Sequence, residues 1–217
     1  MILRRPDGAF CLYVLAHGAG AGMRHPFLEK LSVALASFHI ATLRYEFAYM
    51  EEGRRRIDPP AVLHERVRKA VAAAAKEGLP LFAGGKSMGG RMTSQAQALA
   101  PLPNVLGVAF VGFPLHPAGK RGVERAAHLR EVAVPMLFLQ GTRDELAHLD
   151  LLRPTVERLP RTTLHMVDDA DHSFHVRKKS GRGDPEVLTE LAQTFARWAQ
   201  RTIGDSSSRA SRSAGSR

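Results

Sequence analysis

The segment Gly85-Lys86-Ser87-Met88-Gly89 follows an apolar run at residues 79–83 and places one serine between two glycines. This order is typical of a nucleophile elbow, in which a strand ends in a turn so sharp that the serine side chain stands clear. Glycine is needed on both sides because a Cβ atom there would collide with a neighbouring strand or with the following helix. The pattern alone also fits a serine that only caps a helix. The rest of the chain decides between these two interpretations.

Two further apolar runs each end in a group that a serine nucleophile needs. The run at 134–139 leads into a polar turn with Asp144, and a short run at 164–167 leads into a loop with His172. The order Ser87, Asp144, His172, with each member after a strand, is the order found in α/β-hydrolases. The sequence therefore predicts a Ser-His-Asp triad in which His172 is the base.

Other carboxylates lie closer to the histidine in sequence than Asp144 does. Asp168, Asp169 and Asp171 share the loop of His172. Aspartate is common in turns because its side chain bonds nearby backbone groups. We interpret these three residues as turn formers, although they remain rivals for the role of the acid.

The segment at 17–22, with the sequence HGAGAG, follows another apolar run near the N-terminus. In an α/β-hydrolase such a loop brings a backbone N–H group towards the nucleophile as half of an oxyanion hole. Ala19 would supply that group and Met88 the other half. Gly18 and Gly20 are predicted to contact the substrate.

A phosphate-binding glycine loop is the rival interpretation of this segment. It lacks the lysine of a P-loop, and no acidic residue is placed on a second strand to bind a ribose. We interpret His17, which begins the segment, as a packed or hydrogen-bonded loop residue rather than a second base.

Five motifs together carry a resemblance to a known family. They are HGAGA at 17–21, GGKSMGGR at 84–91, GFPLHPAGK at 112–120, QGTRD at 140–144 and DADHSF at 169–174. The set resembles the small α/β-hydrolases similar to dienelactone hydrolase, and more narrowly the branch of testis-expressed protein 30 and the hydrolase-like domain of the third NSL-complex subunit. This resemblance covers nearly the whole chain up to about residue 203. It implies the fold and a hydrolytic activity, although some eukaryotic relatives act as complex subunits.

Apolar runs alternate with helical patterns, which predicts a mostly parallel sheet with helices on both faces. Predicted strands lie at 10–16, 38–44, 79–84, 105–111, 134–140 and 162–167, and a short strand at 2–5 would be a seventh. Predicted helices begin at Pro26, after Asp58 and at Ser87. A last helix from Asp184 should bury one stripe made of Leu188, Leu191, Phe195 and Trp198.

The spacing of the strands leaves no room for a cap over the site. Only about twenty residues separate the strand at 105–111 from the next one, too few for both a crossing helix and a cap domain. The chain is therefore expected to form one domain over 1–203 with an open pocket. The Ser/Arg-rich segment at 204–217 has no apolar residue larger than alanine and is predicted to be a disordered tail.

The composition of the 217 residues, with 44% hydrophobic residues, is that of a globular protein. No apolar run approaches the length of a membrane span, and the single cysteine, Cys11, excludes an intramolecular disulfide. We therefore expect a cytoplasmic monomer or dimer that acts on a small molecule, with no membrane attachment and no specific nucleic-acid partner. No histidines stand at metal-ligand spacing, so neither a metal nor another cofactor is predicted.

The chain is strongly basic, with 31 Lys and Arg against 21 Asp and Glu and a formal charge of +10. Lys86 precedes the predicted nucleophile, and Arg91 follows it by one helical turn. One interpretation is that they pair with local carboxylates or backbone carbonyl groups. The other is that they bind substrate at the pocket mouth, where positive potential would attract an anionic acyl compound.

The predicted activity is acyl transfer to water by a serine hydrolase. A carboxylic ester is the expected substrate, with a thioester, lactone or amide as close alternatives. A second class of function is a non-catalytic interaction module that has retained the hydrolase fold. The basic surface favours the module, and the complete set of catalytic residue types favours the enzyme.

Overall fold

The computed structural model describes the backbone of residues 1–214 and the side chains of residues 1–208. Its strands are β1 Ile2–Arg4, β2 Cys11–Ala16, β3 Ile40–Tyr45, β4 Leu81–Lys86, β5 Val105–Val111, β6 Met136–Gly141 and β7 Thr162–Val167. They form one sheet in the order β1-β3-β2-β4-β5-β6-β7. β1 pairs antiparallel with β3, and the other pairings are parallel. The sequence predicted a sheet of six or seven strands, and the sheet has seven.

Helices cover both faces of this sheet. They are α1 Pro26–Ala36, α2 Ala48–Glu51, α3 Pro60–Ala74, α4 Met88–Leu99, α5 Leu149–Glu157 and α6 Asp184–Ala214. Short 3₁₀ helices lie at Ala75–Glu77, Glu124–Glu131 and Lys178–Ser180. In the described part of the chain, no helix has both the length and the apolar character that crossing a bilayer requires.

Two apolar layers hold the helices against the sheet. One layer contains residues of α1 and α6, including the stripe of Leu188, Leu191, Phe195 and Trp198, whose predicted burial is confirmed. The other contains residues of α3 and α4. Every residue of β2 and β3 is buried, because a parallel strand between two helix layers has no solvent face. The chain therefore has the predicted α/β-hydrolase fold, without a cap domain.

The connection between β5 and β6 differs from the expected α-helix. Residues Glu124–Glu131 form a 3₁₀ helix in which Ala126 and Leu129 are buried. This segment packs against the strands mainly through those two side chains, so it lacks the broad apolar stripe that sustains a longer α-helix.

The C-terminal helix extends past the predicted boundary at residue 203. α6 continues to Ala214, and the hydroxyl groups of Ser206, Ser207 and Ser208 donate to backbone carbonyl oxygens four residues earlier. Such local bonds satisfy serine side chains inside a helix without burying apolar surface. The helix includes residues 204–214 of the segment that was predicted to be a tail, and residues 215–217 lie outside the described residues.

Candidate active site

The site lies at the edge of the sheet where the carboxyl ends of β2, β4, β6 and β7 meet. Parallel strands direct the loops that follow them to the same edge. The loop after β4 carries Ser87, the loop after β6 carries Asp144, and the loop after β7 carries His172. Three residues that are far apart in sequence are thereby brought into contact.

The turn at Ser87 is strained. This residue has φ 51° and ψ −118°, in a region that residues with a side chain seldom occupy. A Cβ atom on Gly85 would stand 2.4 Å from the carbonyl oxygen of Ala16, and one on Gly89 would stand 2.5 Å from that of His17. The predicted need for both glycines is confirmed, since β4 and α4 approach β2 too closely for any side chain.

A continuous chain of hydrogen bonds links the serine to the acid. His172 Nε2 lies 2.9 Å from Ser87 Oγ, and His172 Nδ1 lies 2.7 Å from Asp144 Oδ2. Because a carboxylate can only accept, Nδ1 is the donor, and in the neutral imidazole Nε2 then accepts from the serine hydroxyl group. The geometry is that of a nucleophile beside a base whose orientation a carboxylate fixes.

Hydrogen bonds from residues other than His172 fix the position of Asp144. Its carboxylate is buried and accepts bonds from Gln140 Nε2 at 2.5 Å and from the backbone N–H of Leu146 at 2.8 Å. Gln140 in turn accepts from the N–H of Phe113 at 2.9 Å. The sequence analysis did not identify Gln140 as part of the site, although a polar residue at the buried end of an apolar strand was a usable signal.

The three rival aspartates have other partners. Asp169 pairs with Arg177, whose hydrogen bonds lower the pKa of Asp169 to about 2. Asp171 accepts the backbone N–H groups of Ser173 and His175, and Asp168 accepts from the hydroxyl group of Thr142. Among the described residues, none of the three is hydrogen-bonded to His172. They hold the histidine loop in shape, as turn formers do.

The loop after β2 is fixed by its neighbours. His17 is fully buried, and its Nε2 accepts the N–H of Phe47 at 3.1 Å, so Nδ1 is the atom that donates to the carbonyl of Gly18 at 2.7 Å. Burial also lowers the pKa of His17, which keeps the imidazole neutral. The N–H of Gly20 donates to the hydroxyl group of Tyr49 at 3.0 Å. The backbone between these anchors is therefore held in one conformation beside Ser87.

A cavity of about 320 Å³ opens beside the serine. Its polar wall contains Ser87 and His172, and Phe27, Leu28 and Leu146 line an apolar side. Gly18 and Ala19 also line it, whereas Gly20 and Met88 do not, although Met88 directly follows Ser87 as the first residue of α4. The sequence gave no signal for the apolar wall, since the start of α1 and the loop after β6 meet only in the folded chain.

Comparison with known proteins agrees with this architecture. A family model described as the alpha/beta hydrolase domain matches residues 10–200. The chain belongs to the alpha/beta hydrolase family. A dienelactone hydrolase from Anabaena variabilis superposes with a TM-score of 0.71 at 22% identity, over 92% of this chain and 89% of that chain.

Other solved structures share the fold at lower identity. Est1E from Butyrivibrio proteoclasticus, solved with ferulic acid bound, has a TM-score of 0.68 at 14% identity, covering 89% of this chain and 93% of its own. A serine hydrolase without a lid from Xanthomonas campestris has a TM-score of 0.63 at 18% identity, covering 92% and 87%. All three solved structures are similar to this chain in fold.

Lys86 of this α/β-hydrolase lies beside the serine, as its sequence position requires. Lys86 is one of the residues that line the cavity, while its Nζ atom is buried and has no hydrogen-bond partner among the described residues. Burial lowers the pKa of Lys86 to about 8, against the attraction of Asp144 and Asp171. Nζ lies 5.7 Å from the centre of the Phe174 ring. An ammonium group without an ion-pair partner thus sits next to the hydrolase site.

Arg91 lies elsewhere. It is on α4 but is not part of the cavity wall, and its charged neighbour is Arg125 of the 124–131 segment. Lys86 and Arg91, which are close to the nucleophile in sequence, therefore lie in different environments in the folded chain.

A second serine–histidine pair occurs in the α/β-hydrolase domain, away from the cavity. Ser94 Oγ lies 2.7 Å from His128 Nε2. His128 has no carboxylate partner among the described residues, and burial, followed by repulsion from Arg91, lowers the pKa of His128 to about 4. Ser94 is buried in the middle of α4, where no substrate carbonyl could reach it. The pair is a natural comparison for the one at Ser87.

Proposed function

We propose that this hydrolase is a serine hydrolase that cleaves a carboxylic ester or a related acyl bond, in a thioester, lactone or amide. The observation that supports the proposal is the unbroken chain of hydrogen bonds from Asp144 through His172 to Ser87 at the wall of an open cavity. Each group has the chemical role that acyl transfer requires.

In the proposed reaction, Ser87 Oγ attacks the substrate carbonyl carbon while His172 Nε2 takes the hydroxyl proton. The N–H groups of Met88 and Ala19 stabilise the negative charge on the carbonyl oxygen. His172 then protonates the leaving group, and an acyl-enzyme remains. Water repeats the sequence with His172 as base, while Asp144 holds the imidazole in the useful tautomer and offsets its charge.

Labelling with a fluorophosphonate tests this function. Only a serine with an aligned base and an oxyanion hole reacts readily, so peptide mass spectrometry should find the label on Ser87. Label on Ser173 or Ser94 would contradict the assignment of the nucleophile. A folded protein that takes no label would favour the alternative function, a non-catalytic interaction module.

The absence of a cap predicts a preference for short acyl groups. Extra methylene groups would extend from the cavity into water and would not gain the roughly 0.8 kcal/mol that each buried CH₂ contributes. We expect kcat/KM to be higher for acetyl to butyryl esters than for decanoyl esters of the same alcohol. A steady rise of kcat/KM up to the decanoyl ester would show that longer chains are buried after all.

Lys86 supports a preference for anionic substrates. Among the described residues, its buried Nζ has no hydrogen-bond partner, so its charge is not offset locally and would attract a carboxylate or phosphate on a substrate in the adjoining cavity. We expect an acyl substrate with a carboxylate to have a higher kcat/KM than its neutral isostere at low salt. Because the charged form of Lys86 exists below its pKa of about 8, this ratio should fall as the pH rises through that value.

The ratio of kcat/KM for the two substrates separates this effect from pH-dependent steps that the two substrates have in common. Lys86→Met should reduce the ratio roughly tenfold. Lys179→Met removes the same charge at an exposed position and is the matched control. A ratio that is equal to one in the unsubstituted protein at every salt concentration would assign Lys86 a structural role.

We further propose that the chain belongs to the testis-expressed protein 30 branch, is located in the cytoplasm, and is a monomer or dimer.

A further inference from the structure

A second group of basic side chains lies where α3, α4 and the 124–131 segment meet. We call it the basic cluster, and it consists of His64, Arg91, Arg125 and His128. Hydrogen bonds tie both histidines to α4, from His64 Nε2 to Gln95 Oε1 at 3.1 Å and between His128 Nε2 and Ser94 Oγ at 2.7 Å. Arg91 lies one turn before Ser94 and Gln95 on α4, and Arg125 lies three residues before His128 on the 124–131 segment.

Among the residues whose side chains are described, no carboxylate pairs with the charged groups of the basic cluster. Neither Arg91 nor Arg125 forms an ion pair or a side-chain hydrogen bond with any described residue, and the Nε atom of Arg91 is buried without a partner. An unpaired buried donor on a cation is costly, and in native proteins such a group usually has a bound water or ion. The cluster therefore has unused capacity for an anion.

Among the described residues, the charged side chain that acts on Arg91 is also positive. Burial first, and then repulsion by Arg125, lower the pKa of Arg91. Repulsion by Arg91 contributes, after burial, to the lowered pKa of both His64 and His128. Both imidazoles are thus neutral at pH 7, and the two guanidinium groups carry the charge of the cluster.

We propose that the basic cluster binds a tetrahedral dianion of the phosphate type, at a site separate from Ser87. Two guanidinium groups from different segments offer paired N–H donors and a charge of opposite sign to a dianion. A phosphate group here would join α4 to the 124–131 segment, and it would supply the partner that the buried Nε atom of Arg91 lacks.

Calorimetric titration with inorganic phosphate at pH 7 tests the proposal, with ionic strength held constant by sodium chloride. The unsubstituted protein should bind phosphate above the chloride background. Arg125→Gln should weaken phosphate binding at least about tenfold, because it removes charged hydrogen bonds to the anion. Arg130→Gln removes the same charge from an exposed position of the same segment, and it should leave binding unchanged.

Further variants distinguish binding at the basic cluster from binding elsewhere on the protein. Arg91→Gln should weaken binding as Arg125→Gln does, with folding checked by circular dichroism. In a Lys86→Met background, which removes the active-site ammonium that could itself attract phosphate, phosphate should still bind and Arg125→Gln should still weaken that binding. Absence of binding in the unsubstituted protein, or equal loss in the Arg125 and Arg130 variants, would overturn the proposal, since the latter would indicate general attraction to a basic protein.

Nuclear magnetic resonance of the imidazoles gives a second measurement. Sulfate is a dianion that does not titrate near neutral pH, and bound at the cluster it should raise the pKa of His128 by offsetting the repulsion from Arg91. The ring signals of the exposed His39 should be unaffected by sulfate. An unchanged pKa of His128 at saturating sulfate would place the anion elsewhere and refute the assignment.

Discussion

Ser87→Ala is expected to lower kcat for a short acyl ester by at least about 10⁴-fold and to abolish fluorophosphonate labelling. The substitution removes the atom that attacks the carbonyl carbon, and in the described residues no other hydroxyl group bonds to His172 Nε2. The measurement is steady-state hydrolysis of one ester by both proteins, together with gel detection of the label. The fold should be retained, because alanine is no more hindered than serine in this turn.

The matched control is Ser94→Ala. Ser94 also bonds a histidine, but that histidine lacks a carboxylate and the pair lies outside the cavity. We expect normal labelling and kcat within a few fold, with a loss of about 1 kcal/mol in the free energy of unfolding from the missing hydrogen bond. Loss of activity in Ser94→Ala together with normal activity in Ser87→Ala would reverse the assignment of the nucleophile.

Asp144→Asn should lower kcat by about 10⁴-fold. An asparagine amide can donate to His172 Nδ1, which then becomes the acceptor and places the ring proton on Nε2, where it blocks abstraction of the Ser87 proton. The pocket around residue 144 is built for an acceptor, because Gln140 Nε2 and the N–H of Leu146 both donate to it. Some loss of stability is therefore expected, and thermal unfolding should be measured in parallel.

Asp171→Asn is the control for the acid. Asp171 accepts backbone N–H groups in the histidine loop but does not bond to His172. We expect a reduction in kcat of tenfold or less, from a less rigid loop. If Asp171→Asn lost most of the activity and Asp144→Asn kept it, the acid would have to be reassigned to the loop at 168–171.

The serine between two glycines shows which structural features local sequence can predict. The pattern at 85–89 predicted a strained turn between a strand and a helix, and Ser87 has positive φ in that position. Apolar runs likewise placed the strands to within a few residues, because burial on both faces of a parallel sheet demands continuous apolar sequence. Such features depend on neighbours in the chain, so sequence carries them directly.

The outcome at the basic residues was different. Lys86 and Arg91 are five positions apart and looked equivalent in sequence, yet Lys86 lies at the cavity and Arg91 faces Arg125. The direction of Arg91 depends on the rotation of α4 about its axis, which is set by packing against α3 and the 124–131 segment. No local pattern records that rotation, because charged residues are tolerated on any helix face with access to solvent.

The sequence by itself determined which catalytic residue type follows which strand: a serine, then an acid, then a histidine, each after an apolar run. It also determined the glycines at positions where two backbone segments pass close to each other. Only the tertiary structure decided that Gln140 supports Asp144, that Phe27 and Leu146 share a wall, and that Arg91 lacks a partner. The physical reason is the separation along the chain of the residues that interact. Strand formation and turn chemistry follow from adjacent residues, whereas a buried hydrogen bond or an unpaired charge depends on which distant segments pack together.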